Sequence, residues 1–168
     1  QKIICINHNV VGDGTQLDTA KNIRHRVHGV EVIRCKMDFH VASQPISFSY
    51  VHILKKVMDN FMPDVVIFHY PNPYLAEFLL RYKKRVFKLI VWWHSDIIKQ
   101  KMLGKLFIKQ NMDLLKRADC LVATSQNYIE GSRYLSKFKN KCMVIPCCIM
   151  ENELKISKKG KEKAKKIK

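Results

Sequence analysis

Two histidines, His69 and His94, stand where chemistry is expected, because each directly follows an apolar run of the chain. Residues 65–68 read VVIF before His69, and residues 87–93 read FKLIVWW before His94. Both runs predict buried strands, and each is followed by a polar turn and a helical pattern. Ligands of an open parallel sheet bind outside the carboxyl ends of its strands, so both imidazoles are expected at a ligand site. There an imidazole can carry a proton or hydrogen-bond a substrate, although a histidine that only caps or packs the turn fits the same pattern.

Short polar side chains follow these two strand ends and a third one. Asn72 precedes Pro73, a pair that favours the start of a helix, because Asn can cap free amides and Pro has no amide to cap. A helix start directed into the crevice also binds oxygen atoms of a ligand, so capping and binding do not exclude each other. Ser95 and Asp96 have the same two interpretations, and Ser125 completes a third strand end beside them. The sequence shows no Ser-His-Asp order, no pair of glutamates at glycosidase-like positions and no Walker loop.

The alternation of strands and helices around these residues predicts an α/β fold, a doubly wound and mostly parallel sheet flanked by helices. Residues 1–150 are expected to form this single domain, since domains typically hold about 100 to 200 residues. Strands are predicted at residues 3–6, 30–35, 65–68, 87–93, 119–123 and 143–145. Helices are predicted at 50–60, from Pro73 onward, at 97–117 and at 127–138, with loops at 7–18 and 38–49.

The charge of the chain is strongly positive, at +17 over 168 residues, which indicates a polyanionic neighbour such as an anionic lipid surface or a nucleic acid. Residues 151–168 carry eight lysines against three glutamates, which predicts a solvated linker or the start of a further domain. Six cysteines show no spacing typical of a zinc site, and no signal peptide or membrane span is evident, so cytoplasm is the expected setting.

Four lysines of the predicted helix 97–117 fall within a sector of roughly 80°. A solvated face is the simplest interpretation, but the stripe also suits the inner face of an anionic membrane, where the protein would bind peripherally. The residues are Lys101, Lys105, Lys109 and Lys116.

Five runs of the chain, taken in order, resemble the N-terminal half of the family 4 glycosyltransferases, which are retaining GT-B enzymes. They are ASQPIS at 42–47, FHYPNP at 68–73, VWWHSDIIKQK at 91–101, RADCLVATSQNY at 117–128 and VIP at 144–146. The resemblance extends from about Val30 to Pro146 and is carried by the order of the motifs more than by any one of them.

This resemblance implies a Rossmann-like acceptor domain that works with a second domain holding a nucleotide-sugar. Together they would transfer the sugar to a lipid-linked or polysaccharide acceptor with retained configuration, without a metal or other cofactor. His94 falls on the active-site histidine of the family, beside the transferred sugar, and is predicted to be catalytic. Substrate contacts are predicted for the polar residues of the three strand ends: His69, Tyr70, Asn72, Ser95, Asp96 and Ser125.

The sequence also departs from the family pattern. The first strand of the family, with its Gly-rich turn, is expected before Gln1 unless residues 3–6 are that strand, and the donor domain with its paired glutamates is expected after Lys168. Residues 146–150 read PCCIM where members of the family commonly have an aspartate. A basic α/β module that binds nucleic acid is the alternative, but Trp92 and Trp93 lie inside a strand pattern and are not interleaved with lysines on an exposed face.

Overall fold

The fold consists of three sheets and the helices that pack on them, in a computed structural model that describes residues 2–9, 21–41, 44–84, 86–96 and 107–148. The strands are β1 (Ile4–His8), β2 (Ile23–Val27), β3 (Val30–Cys35), β4 (Phe39–Val41), β5 (Gln44–Ile46), β6 (Val65–Tyr70), β7 (Lys88–Trp93), β8 (Cys120–Ala123) and β9 (Cys142–Val144). The helices are α1 (Phe48–Phe61), α2 (Pro73–Arg81), α3 (Ile108–Arg117) and α4 (Gln126–Gly131), and a 3₁₀ helix, Leu135–Lys141, follows α4.

The largest sheet is four-stranded and entirely parallel, with the order β6-β7-β8-β9. Strands joined in this way need helical crossovers, which α2, α3, and α4 with the 3₁₀ helix provide. The predicted α/β class, with a parallel sheet flanked by helices, is therefore confirmed. The carboxyl ends of β6, β7 and β8 lie side by side, so the residues that follow them share one edge of the sheet.

A second sheet has the order β1-β3-β2, in which β1 runs parallel to β3 and β2 antiparallel to it. The turn between β2 and β3 consists of His28 and Gly29, which both have positive φ, 48° and 81°. Two successive residues with positive φ match the twist of a tight hairpin. The predicted turn at Gly29 and the predicted strand at 30–35 are therefore confirmed. The sequence did not predict β2, because Arg24 and Arg26 interrupt its apolar pattern.

The prediction of a loop at 38–49 is wrong, because β4 and β5 form a short antiparallel hairpin there, with Phe39 opposite Ile46. Three-residue strands are too short to show periodicity, and Pro45 masks the pattern further. The helix predicted from Tyr50 begins at Phe48, since Ser47 is its cap and accepts a hydrogen bond from the Tyr50 amide at 3.2 Å.

The helix predicted at 127–138 is interrupted at Ser132, which is buried between α4 and the 3₁₀ helix. Its hydroxyl accepts hydrogen bonds from the amides of Tyr134 and Leu135, at 3.2 and 3.1 Å, and so stabilises the turn between the two helices. Of the helix predicted at 97–117, the structure shows only the last part as α3, which begins at Ile108 after the non-helical Phe107. Residues 97–106 lie outside the described residues, as do residues 151–168.

One apolar core joins the sheets to the helices. It contains Ile33 of β3, Met58 of α1, Leu79 of α2 and Leu114 of α3, all buried, together with the alternating residues of β6 and β7 that face these helices. The opposite face of β6 is open, since Val65 and Ile67 are 50% and 55% exposed. The edge strand β6 therefore has a packed face and an open face, whereas Leu121 and Val122, which point to opposite faces of β8, are both buried.

Candidate functional site

His69 and His94 form a hydrogen-bonded pair at the carboxyl ends of β6 and β7. In the register of the two strands His69 lies opposite Trp92, so both side chains are on the same face of the sheet. Side chains alternate along a strand, and His94 follows Trp92 by two residues, so His94 lies on that face as well. Nδ1 of His69 lies 2.8 Å from Nε2 of His94, and the two rings are inclined by only 12°. Both side chains are exposed. The structure thus brings together the two histidines that the sequence placed at separate strand ends.

The indole of Trp92 lies almost parallel to both imidazoles. Its ring centroid is 5.4 Å from that of His69 and 6.0 Å from that of His94, with interplanar angles of 13° and 9°. Burial, followed by the nearby His94, lowers the pKa of His69 from its ordinary value, which favours the neutral form of its ring. The indole therefore stacks beside the pair of imidazoles and helps to fix their orientation.

Tyr70 lies on the other face of the same strand, within the core. Its ring stacks on Trp93 with centroids 3.7 Å apart and an angle of 9°, and both side chains are 0% exposed. Burial raises the pKa of the Tyr70 phenol. A substrate contact with this ring would require the turn after β6 to move, and the substrate-binding role of Tyr70 stays a prediction.

Asp96 holds the segment after β7 against α4. Its carboxylate accepts hydrogen bonds from Trp93 Nε1 at 2.7 Å, from the Tyr128 hydroxyl at 3.2 Å and from the Ser132 hydroxyl at 3.0 and 3.1 Å. Burial, and then the carboxylate of Asp96, raise the pKa of Tyr128 to about 12, so the phenol remains a donor. These contacts give Asp96 a structural role next to His94, and its predicted contact with substrate stays a prediction.

The remaining predicted residues lie at helix starts or on the surface. The side chain of Asn72 accepts a hydrogen bond from the Leu75 amide at 3.2 Å, and that of Ser125 accepts one from the Tyr128 amide at 3.1 Å, which makes them the caps of α2 and α4. Ser95 is exposed, and its hydroxyl has no hydrogen-bond partner among the described residues. The capping interpretation of Asn72 is confirmed, the cap at Ser125 is an addition of the structure, and the contact of both residues with substrate stays a prediction.

Sequence reasoning missed three residues of this site: Trp92, Tyr128 and Ser132. Trp92 could have been found, because it lies two residues before His94 and a strand has a period of two. Tyr128 and Ser132 are four residues apart, which puts them on one side of a helix, but nothing in their types indicates that they share a carboxylate. Within the described ranges, no group of three or more His, Cys, Asp and Glu side chains could hold a metal ion.

The lysine stripe is described only in part. Lys109 and Lys116 are exposed on α3, whereas Asn111, Leu114 and Leu115 are buried on its opposite side. Lys101 and Lys105 lie outside the described residues, so the alignment of all four stays a prediction. Among the helices that the structure describes, none has the length and apolar character needed to cross a bilayer.

Comparison with known proteins gives one family and two relatives. The sequence profile described as Glycosyltransferase Family 4 matches residues 9–152. The chain is 33% identical over 123 residues to the O-antigen chain mannosyltransferase C of Escherichia coli. The aligned region covers 73% of this chain and 32% of the relative. It is 34% identical over 119 residues to the D-rhamnosyltransferase WbpZ of Pseudomonas aeruginosa, covering 70% of this chain and 30% of the relative. The chain therefore spans about a third of the length of these curated relatives, and no solved structure gives a significant match.

Proposed function

This chain belongs to glycosyltransferase family 4, and from that premise we propose that it is the acceptor-side half of an enzyme that transfers a sugar from a nucleotide-sugar to a lipid-linked or polysaccharide acceptor. The observation that carries the proposal is the exposed pair of His69 and His94 at adjacent carboxyl ends of a parallel sheet. Open α/β sheets bind their ligands at this edge. A donor domain facing it would enclose the sugar between the two halves.

Transfer with retained configuration requires one bond at the anomeric carbon to break and another to form on the same face. The bond from this carbon to the phosphate oxygen breaks, the bond to the acceptor oxygen forms, and the proton of the acceptor hydroxyl leaves toward the departing phosphate. Positive charge develops on the sugar ring meanwhile. We assign to His94 a hydrogen bond with the transferred sugar or the acceptor that is strongest in this transition state.

The other strand-end residues would bind hydroxyl groups around this centre. Ser95 is the most direct candidate, because its hydroxyl is exposed and adjacent to His94. The starts of α2 and α4 offer backbone amides beside the capping residues Asn72 and Ser125. Asp96 would act chiefly by holding Ser95 and His94 in place.

The names of the relatives narrow the donor sugar that we propose. One is named for mannose and the other for D-rhamnose, which is 6-deoxymannose. Both sugars share the configuration of mannose at their ring carbons, so we propose a nucleotide-linked sugar of this configuration as the donor. Transfer from a mannose-type donor should exceed transfer from the corresponding glucose and galactose donors, and equal rates with all three would contradict this proposal.

The test of the proposed function is His94→Ala in the complete enzyme that carries this chain, with turnover and melting temperature measured together. Loss of a group that stabilises the transition state typically costs about 10² to 10⁴ in rate. His52→Ala is the matched control, since His52 is another exposed histidine, on α1 and away from the strand ends. If the His94 variant melts several degrees lower while its folded fraction turns over at the parent rate, His94 is structural and the assignment is wrong.

We also propose that the protein binds peripherally at the inner, cytoplasmic membrane face through the lysines of residues 97–117. This setting suits a lipid-linked acceptor and the positive charge of the chain. Binding of nucleic acid is a weaker alternative, because stacking on bases needs free aromatic faces, whereas Trp93 is 0% exposed against Tyr70 and Trp92 faces the histidine pair.

A further inference from the structure

The contact between His69 and His94 joins one nitrogen of each ring and leaves the other nitrogen of each ring outside it. Nδ1 of His69 meets Nε2 of His94 at 2.8 Å, and the ring centroids are 5.1 Å apart. This centroid distance is reached only when the contact lies in line with both ring centres, and so in the plane of both rings. Over the described part of the chain, neither imidazole makes a second side-chain hydrogen bond. Nδ1 of His94 and Nε2 of His69 are therefore the two nitrogens outside this contact, and Nδ1 of His94 is the one that belongs to the predicted catalytic residue.

A hydrogen bond between two neutral imidazoles requires one proton between the facing nitrogens. If His94 donates from Nε2, its Nδ1 is an acceptor, and if His69 donates from Nδ1, Nδ1 of His94 carries a proton and is a donor. In the first arrangement both rings carry their proton on Nε2, which is the commoner form of a free histidine side chain. In the second arrangement both rings take the less common form. The first arrangement is therefore favoured at both rings.

Full protonation of both rings is incompatible with this geometry. Two N–H groups would then face each other at 2.8 Å, with two positive charges beside the indole of Trp92. Burial and the neighbouring His94 lower the pKa of His69, which favours an unprotonated acceptor nitrogen on His69.

We infer that His69 is a positioning residue for His94: it accepts the Nε2 proton of His94 and so presents Nδ1 of His94 to the crevice as a hydrogen-bond acceptor. The group that Nδ1 would accept from is a hydroxyl of the transferred sugar or of the glycan acceptor, and this part of the inference rests on the proposed function. The register of β6 and β7 and the parallel indole of Trp92 hold the two rings in the plane that the hydrogen bond needs. His69 thereby acts through His94 and makes no contact with substrate itself.

Two substitutions separate the hydrogen bond from the packing of the rings. His69→Phe keeps an aromatic ring that can lie parallel to Trp92 but removes the acceptor nitrogen. His69→Asn loses the ring but can place its side-chain oxygen near the position of Nδ1, and so restores an acceptor. A role in packing would be preserved by Phe, whereas a role in positioning would be preserved by Asn.

The first measurement is the ¹⁵N NMR spectrum of the imidazole nitrogens in the 168-residue chain at neutral pH, with the signals of His94 identified by their loss in His94→Gln. We expect His94 to be protonated on Nε2 and unprotonated on Nδ1 in the parent chain and in His69→Asn. In His69→Phe we expect a mixture of the two forms. A parent chain in which Nδ1 of His94 carries the proton, or a His69→Phe spectrum with an unchanged His94, would overturn the inference.

The second measurement is a double-mutant cycle in the complete enzyme. Removing a residue that orients a functional group commonly costs about 10- to 100-fold, so His69→Phe should lower kcat by about that factor and His69→Asn by less. Combined with His94→Ala, His69→Phe should cause no further loss, because His69 would act only through His94. If the two losses multiply instead, His69 contacts substrate directly and the inference is wrong.

These two measurements also keep the inference separate from the proposed function. The spectrum reports on the histidine pair whether or not the protein transfers a sugar. An enzyme that transfers no sugar from any nucleotide-sugar donor would refute the proposed function and leave the spectrum as the test of the pair.

Discussion

The stability of the fold should fall as the pH is lowered from 6.5 toward 4, because of His8 at the end of β1. Its ring packs on Tyr50 with centroids 4.7 Å apart, and its Nε2 is buried with no hydrogen-bond partner among the described residues. Burial, followed by the nearby His40, lowers the pKa of His8 from 6.5 to about 4. Protonation would add a buried charge and a second N–H group for which the structure shows no acceptor.

The sign and size of this effect follow from proton linkage. Between pH 6.5 and about 4 the unfolded chain binds a proton at His8 and the folded chain does not, so the free energy of unfolding falls as the pH falls. At pH 5 the full shift corresponds to about 2 kcal/mol. The ring keeps some contact with water, which reduces the expected loss to about 1 to 2 kcal/mol.

The assay is urea unfolding of the parent chain and of His8→Gln, each at pH 7.5 and pH 5. Gln has no titratable group, so the variant should lose less stability than the parent over this interval, by about 1 to 2 kcal/mol. The lowered pKa of His69 acts in the same direction, but it is present in both chains and cancels in the difference. Equal losses in the parent and in His8→Gln would refute the reasoning.

Three other predictions follow from the site and from the charge of the chain. Asp96→Ala removes the acceptor of Trp93, Tyr128 and Ser132 and should lower the free energy of unfolding by about 2 to 3 kcal/mol. Asp96→Asn keeps one acceptor oxygen and should lower it by about 1 kcal/mol. A loss below about 0.5 kcal/mol in urea unfolding of Asp96→Ala would contradict a stabilising role of these hydrogen bonds. Changing Lys101, Lys105, Lys109 and Lys116 to Gln should release the protein from anionic vesicles in a flotation assay, since each lysine near such a surface contributes about 1 kcal/mol at most. The control is the same change at four other lysines, which gives a variant of the same net charge: Lys56, Lys83, Lys137 and Lys139. The proposal of a membrane-binding stripe fails if the two variants float alike. The 168-residue chain alone should transfer no sugar, because the family resemblance assigns the donor phosphates to a second domain, and turnover by this chain with any nucleotide-sugar would disprove this.

The parts of the fold that the sequence predicts well are those that a local pattern of residue types determines. β6 and β7 are continuous apolar runs, and the start of α2 follows from Asn72 and Pro73, whose capping geometry is the expected one. The elements that it misses depend on contacts between distant residues. Ser132 interrupts a helical pattern because its hydroxyl donates to Asp96, 36 residues away in sequence, and local periodicity carries no information on that bond.

The same distinction applies to the two histidines of the candidate site. Each is predictable as a residue at a strand end, but their hydrogen bond depends on the register of β6 against β7, which pairs His69 with Trp92. A slip of one residue between these strands would place His69 opposite Val91 or Trp93, whose side chains are fully buried on the other face. The register is in turn fixed by the packed face, where Tyr70 stacks on Trp93 with centroids 3.7 Å apart. The aromatic core contact beneath the sheet therefore determines which side chains meet on the other face, and the pairing of His69 with His94 depends on the packing of Tyr70 against Trp93.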